Sequence, residues 1–191
     1  MITSNKLNIG CGRNILKDWV NVDSAPLPGV DIVRDLETCD GSRLFYEIPD
    51  NSVDEILCSH VLEHIRNLLP LVEELWRVAA PGAIMTVRVP YGSSDDAWED
   101  PTHVRAFFLQ SLSYFSQPYY WRADYNFKGD WQPERITLFP QVARWGTASH
   151  FFQAVNERRN VVREMVATLR AVKPIREPLR ELQVVPELVM G

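Results

Sequence analysis

The 191-residue chain carries only three cysteines, Cys11, Cys39 and Cys58. An odd count with no Cys-x-x-Cys spacing excludes a full disulfide framework and a cysteine-based zinc centre, and reads as reduced thiols at or near strand ends. No run approaches the roughly 20 apolar residues of a membrane span. The N-terminus also lacks the basic-then-apolar order of a secretory signal, so a cytoplasmic protein is expected. Basic charge is not in excess: 25 acidic against 20 basic residues leave a net charge of -5, which argues against a nucleic-acid partner. Internal repeats and low-complexity tracts are missing too.

What remains is an ordinary globular composition, 46% hydrophobic and 24% charged, in a length suited to one domain with a substantial core. The charge is unevenly spread. The first hundred residues hold 17 acids and 8 bases and the rest 8 acids and 12 bases, with Arg158, Arg159, Arg163 and Arg170 at the centre of the basic part. A solvated surface is the plainer reading, and an anionic substrate or partner the sharper one.

Short apolar runs at 7–9, 19–22, 30–33 and 53–58 and a β-branched run at 84–89 read as strands. Residues 68–79 are apolar at Leu68, Leu71, Val72, Leu75, Trp76 and Ala79, a helical stripe that Pro81-Gly82 stops. The alternation predicts an α/β protein: a Rossmann-like, doubly wound, mostly parallel sheet with helices on both faces. Only about ten residues separate the first two strands, which allows the first helix a turn or two at most. Residues 37–49 read as a loop with one short helix. Beyond Pro90 the pattern predicts a short helix at 110–115, a strand at 136–139, a long amphipathic helix at 148–171 and a last strand at 184–190. The aromatic stretch 118–131 reads as a packed cover over the sheet, with a substrate lid as the alternative.

The segment Leu7-Asn8-Ile9-Gly10-Cys11-Gly12 runs a strand into a glycine turn, and Asp23 closes the next apolar run. Glycines let a backbone approach a ligand closely, and a carboxylate at a strand tip accepts two ribose hydroxyls. A dinucleotide fingerprint would place a third glycine where Ile15 stands and its acid about 20 residues on. No pyrophosphate cradle is offered, so an adenosine ligand without phosphates fits better than NAD.

Asn21-Val22-Asp23, Asp35-Leu36, Asp50-Asn51-Ser52-Val53-Asp54-Glu55-Ile56, Ser59-His60-Val61-Leu62-Glu63-His64 and Ala80-Pro81-Gly82-Ala83 follow in the order found in class I S-adenosylmethionine-dependent methyltransferases. The chain resembles their small type 11 branch, well over residues 5 to about 116 and loosely beyond. The resemblance implies one methyltransferase domain over residues 1–191, with the cofactor core at about 5–116 and a C-terminal cover with the last strands at about 117–191. It implies S-adenosyl-L-methionine as cofactor, with Asn8, Gly10, Cys11, Gly12, Asp23, Ser24, Asp35, Leu36, Ser59 and His60 around it: glycines beneath the methionine part, Asp23 on the ribose, Asp35 and Leu36 on the adenine. It also implies a small-molecule or carbohydrate acceptor, since relatives with the short crossover and an Asp-Pro-Thr-His segment often serve glycan pathways.

Catalysis is assigned to His103, His60 and His64. His103, in Pro101-Thr102-His103, is placed beyond the fifth strand to act as general base on a hydroxyl or amine, and an imidazole titrates close to neutral pH. The structural alternative is a histidine that ties its loop down. His-x-x-Glu-His over 60–64 is also a zinc-protease signature if both histidines share a helix face. The strand just before it weighs against a metal-dependent hydrolase. A metal-assisted methyltransferase is the nearer alternative, because some relatives hold a divalent ion between a Glu-x-x-Glu-His motif and a further histidine; His60 stands in place of the first glutamate, no metal is assigned, and whether His60, Glu63, His64 and His103 bind one is left open. The remaining alternative is a module that binds the cofactor without acceptor chemistry. A homodimer through the basic stretch 151–171 is left open, with no nucleic acid and no membrane span.

Overall fold

The computed structural model describes residues 4–39, 43–142 and 145–191. Its strands are β1 (Lys6–Ile9), β2 (Val20–Asp23), β3 (Ile32–Val33), β4 (Val53–Ser59), β5 (Ala79–Pro90), β6 (Trp131–Pro140), β7 (Val162–Ala171) and β8 (Glu187–Met190). They form one eight-stranded sheet of order β3-β2-β1-β4-β5-β7-β6-β8. Pairing is parallel from β3 through β5 and again between β6 and β8, and antiparallel on both sides of β7. The doubly wound, mostly parallel sheet is therefore as expected. Among the described residues no helix is long and apolar enough to cross a membrane.

Among the described residues three α-helices accompany the sheet: α1 (Leu68–Val78), α2 (Asp96–Glu99) and α3 (Ala148–Glu157). Helix α1 buries Leu68, Leu71, Val72, Leu75 and Val78 on one face, each contributing roughly 1.5–3 kcal/mol of transfer free energy. Its buried Glu74 accepts from the Phe45 amide at 2.7 Å and from Arg77 at 2.7 Å through both oxygens. The incoming loop is thereby clamped to the helix.

The expected long helix over 148–171 is two elements. Thr147 caps α3 by accepting from the His150 amide, but the chain leaves the helix at Arg158 and turns through Asn160 at φ 57°. The Asn160 side chain accepts from the Asp95 amide and donates to the Asp95 carboxylate, and its own amide donates to the Ser93 carbonyl. Strand β7 then buries Met165, Ala167, Leu169 and Ala171 with a period of two. Arg163 and Arg170 are thus exposed positions on a strand, not one helix face. The 110–115 helix is a 3-10 turn at Ser111–Phe115, and the last strand begins three residues later than expected, at Glu187.

The first crossover, residues 10–19, has no helix at all. Two buried asparagines replace what a helix would satisfy internally. The Asn8 amide donates to the Asn14 carbonyl at 2.8 Å and to Asn21 Oδ1 at 2.9 Å. The Asn21 side chain accepts from the Leu16 amide at 2.9 Å and donates to the Leu16 and Trp19 carbonyls. The crossover is largely exposed, and β1 and β2 satisfy its inward-facing backbone groups from within the sheet.

Candidate cofactor and acceptor site

Because β1, β2, β4 and β5 run parallel, their carboxyl ends gather Gly10–Gly12, Asp23, Ser59–His60 and Pro90 along one edge of the sheet, the edge where ligands of such sheets sit. Gly10 (φ 64°) and Gly12 (φ 51°) both take left-handed backbone. A Cβ on Gly10 would lie 2.5 Å from Val61 Cγ2, so the glycine turn packs directly on the loop after β4. A Cβ on Gly12 would meet nothing within 4 Å. The backbone there fronts open space, as close approach of a ligand requires.

Asp23 accepts from the Gly12 amide through Oδ2 at 2.7 Å and from the Ala25 amide through Oδ1 at 2.9 Å. A carboxylate offers about four acceptor sites, so one lone pair on each oxygen is left for a pair of ribose hydroxyls. These are the observations by which the residues present fit an adenosine ligand. Cys11 is buried beside them, and burial, then the Asp23 charge, push its thiol upward. It stays neutral and serves as packing. Gly12→Ala is expected to cost about 1 kcal/mol of stability from the left-handed backbone. Cofactor affinity should fall at least about tenfold, because the methyl group fills the open space; a thermal melt beside a calorimetric titration separates the two.

The other expected cofactor residues lie in different settings. The Asn8 side chain is buried and spent on the crossover. Ser24 is exposed, and Ser59 is half-buried at the end of β4. Asp35 caps the 3-10 turn Leu36–Thr38 by accepting from the Glu37 amide at 3.0 Å, and Leu36 is buried beneath it. Glu37 in turn accepts the Arg66 amide through both oxygens at 3.0 Å, tying this turn to the loop before α1. A separate recess of about 790 Å³, off the outer strand β3, is lined by residues such as Asp18, Asp31, Arg34 and Tyr46 and includes none of the expected cofactor residues.

The histidines meet at the end of β4. His60 sits at φ 52°, uncommon for a residue with a side chain, and residues 62–64 form a turn rather than a helix. The helix face that the zinc-protease signature requires is therefore absent. His60 Nε2 lies 2.9 Å from Glu164 and its Nδ1 lies 3.4 Å from Glu63. The Glu63 carboxylate, then Glu164, raise the His60 pKa against the opposing effect of burial. The His64 and His103 rings stand edge to face with centroids 4.7 Å apart. The Val104 amide donates to the Glu63 carbonyl at 2.9 Å, and Arg105 donates to the carbonyls of Ile65 and Arg66, holding the two loops together.

Sequence reasoning named the three histidines as catalytic and Glu63 only as a possible metal ligand, and it did not find Glu164. Glu63 was legible as the central acid of His-x-x-Glu-His. Glu164 was hidden because its segment reads as helix, and only the antiparallel pairing of β7 with β5, which sets Pro90 opposite Glu164, brings it to the site.

Residues 7–87 match the family described as a methyltransferase domain. Among solved structures, an S-adenosylmethionine-dependent methyltransferase from Archaeoglobus fulgidus superposes with a TM-score of 0.56 at 16% identity, covering 86% of this chain and 85% of that one. A Thermotoga maritima S-adenosylmethionine-dependent methyltransferase, described as a possible histamine N-methyltransferase, gives 0.54 at 13% over 88% and 81%. The YcgJ protein of Bacillus subtilis gives 0.52 at 14% over 88% and 92%. At these identities the structures speak for the fold alone. No curated protein matches the sequence. The matched stretch runs from β1 into β5 and takes in the glycine turn, Asp23 and the histidines that follow β4, so this part of the chain is similar to a methyltransferase domain.

Proposed function

We propose that the protein transfers a methyl group to a small-molecule or glycan-linked acceptor held against His60, His64 and His103. The observation that carries this reading is the gathering of three of the chain's four histidines around Glu63 after β4, in the loop whose Val61 packs on the Gly10 turn. S-adenosylmethionine, when bound, supplies a methyl group on a sulfonium, open to in-line attack. The protein's task is then to hold donor and acceptor in line and to manage the acceptor's proton. Gly10 and Gly12 admit the methionine end, Asp23 the ribose, and Asp35 with Leu36 the adenine. His64 and His103 present imidazole nitrogens to the nucleophilic atom, and the half-exposed His60 lines the path between them and solvent. Strands β6, β7 and β8 complete the same sheet, which supports reading the whole chain as one domain.

Calorimetric titration with S-adenosylmethionine, S-adenosylhomocysteine and NAD tests the cofactor half. Micromolar binding of the first two and none of NAD is expected. Asp23→Ala should weaken binding about 30- to 100-fold, as loss of charge-assisted hydrogen bonds of about 2–3 kcal/mol implies. Failure of the wild-type protein to bind either sulfonium-derived ligand overturns the reading.

A further inference from the structure

The geometry points to a divalent transition-metal site formed by Glu63, His64 and His103. One donor atom from each lies within 4.8 Å of the other two. Two ligands on one ion with bonds of about 2.1 Å stand at most about 4.2 Å apart, so the set closes on an ion through ring and carboxylate movements well under a residue's length.

Hydrogen bonding fixes both imidazoles in the form a metal needs. The Thr102 hydroxyl donates to Asp100 Oδ1 at 2.6 Å, so toward His64 Nδ1, 2.9 Å away, it can only accept. His103 Nδ1 lies 3.0 Å from the Ala97 carbonyl, which also can only accept. Each ring therefore carries its hydrogen on Nδ1 and a lone pair on Nε2. Ligating histidines are oriented in this way, with the second ring nitrogen donating to a fixed oxygen. Asp100 Oδ2 stands 3.9 Å from His103 Nε2, beyond hydrogen-bond reach.

Glu63 supplies the independent observation. The residue is 1% exposed, and among the described residues neither carboxylate oxygen has a hydrogen-bond partner. Its nearest cationic group is His60 Nδ1 at 3.4 Å, an ion-pair distance without a hydrogen bond. A carboxylate taken out of water with its lone pairs unused is costly, and a cation between it and the two Nε2 lone pairs satisfies it. Two imidazoles and one carboxylate suit zinc, manganese, iron or cobalt rather than magnesium or calcium. Three protein ligands leave at least one position open. On the methyl-transfer reading, and resting on it, that position takes the acceptor's oxygen or nitrogen.

Chelator-treated full-length protein titrated with Co²⁺ tests the site without reference to turnover. One equivalent, seen by visible absorption and by metal analysis after desalting, is expected. Glu63→Gln and His64→Gln should each weaken Co²⁺ binding about 100-fold and Thr102→Val about 10-fold, whereas His150→Gln, exposed on α3, should bind as wild type. Circular dichroism and a thermal melt establish that each variant is folded, and His103→Gln serves in place of one that is not. Absence of stoichiometric Co²⁺, or undiminished binding by folded Glu63→Gln and His64→Gln, overturns the metal site. S-adenosylmethionine titrations on the same samples report separately: cofactor binding without Co²⁺ removes the metal alone, and Co²⁺ binding without cofactor upholds the metal while the methyltransferase reading fails.

Discussion

Replacing His103 by alanine is expected to slow methyl transfer by about 10²–10⁴-fold, because its Nε2 is lost whether that atom takes the acceptor's proton or holds the ion the acceptor binds, while S-adenosylmethionine affinity stays within about twofold. His103 lies beyond β5, after α2. Its one ring hydrogen bond goes to the Ala97 carbonyl and its ring neighbour is His64, so it makes none of the hydrogen bonds that shape the Gly12 and Asp23 turn. Truncating it therefore removes, on the proposed function, a group that faces the acceptor, and leaves the Gly12 and Asp23 turn intact. Initial rates over a series of acceptors, with calorimetry on the same preparation, check the result. A parallel fall in turnover and cofactor affinity would show that the ring is structural, tying 97–104 in place.

The largest stability effect is expected far from the chemistry, at Arg176. Asp130 is fully buried just before β6 and receives the Arg176 guanidinium through both oxygens at 2.8 Å, together with the Gln117 and Arg176 amides at 3.1 Å. Arg176 also donates to Gln132 at 2.6 Å and to Ser116 at 3.1 Å. Arg176→Met strands a buried carboxylate and should cost about 3–5 kcal/mol, a large share of the roughly 5–15 kcal/mol that holds a domain folded. The double variant Asp130→Leu/Arg176→Met should recover much of that loss, because the desolvation penalty of both ions goes with them. Urea midpoints for the two single variants and the double measure the cycle. Equal midpoints for Arg176→Met and wild type would show that the pair contributes nothing.

The first half of the molecule was legible because its signals are local. The apolar runs that became β1, β2, β4 and β5 are each bounded by turn residues, and the stripe from Leu68 to Leu75 admits only a helix. The misreading over 148–171 has a definite cause. Phe151, Ala154 and Val155 recur at helical spacing, and so do Val162, Met165 and Leu169, although the latter belong to an alternating strand. Period alone cannot separate the two where they coincide. The polar Arg158-Arg159-Asn160 break was the available signal, and its meaning lay in the distant Asp95 that Asn160 grips. The histidine cluster was half legible for the same reason. His60, Glu63 and His64 adjoin in sequence, but their spacing suggested a helix where Val61 packing on Gly10 makes a turn. Which nitrogen of each ring is free depends on Thr102 and on the Ala97 carbonyl, and no motif encodes that.

The helix-free crossover also bears on how the chain finds its fold. Closing a loop becomes cheaper by about 0.6 kcal/mol for each halving of its length, so β1 and β2 can pair before any distant segment arrives. Asn8 and Asn21 lie on those two strands, and their mutual hydrogen bond forms as the strands register. The hydrogen bonds of the glycine turn thus lie within residues 8–23, its packing on Val61 comes with β4, and β7 reaches β5 only after the intervening chain, β6 included, has been laid down. A chain made in this order would form the hydrogen bonds of the Gly12 and Asp23 turn as a local unit, and the end of β4 would meet Glu164 last.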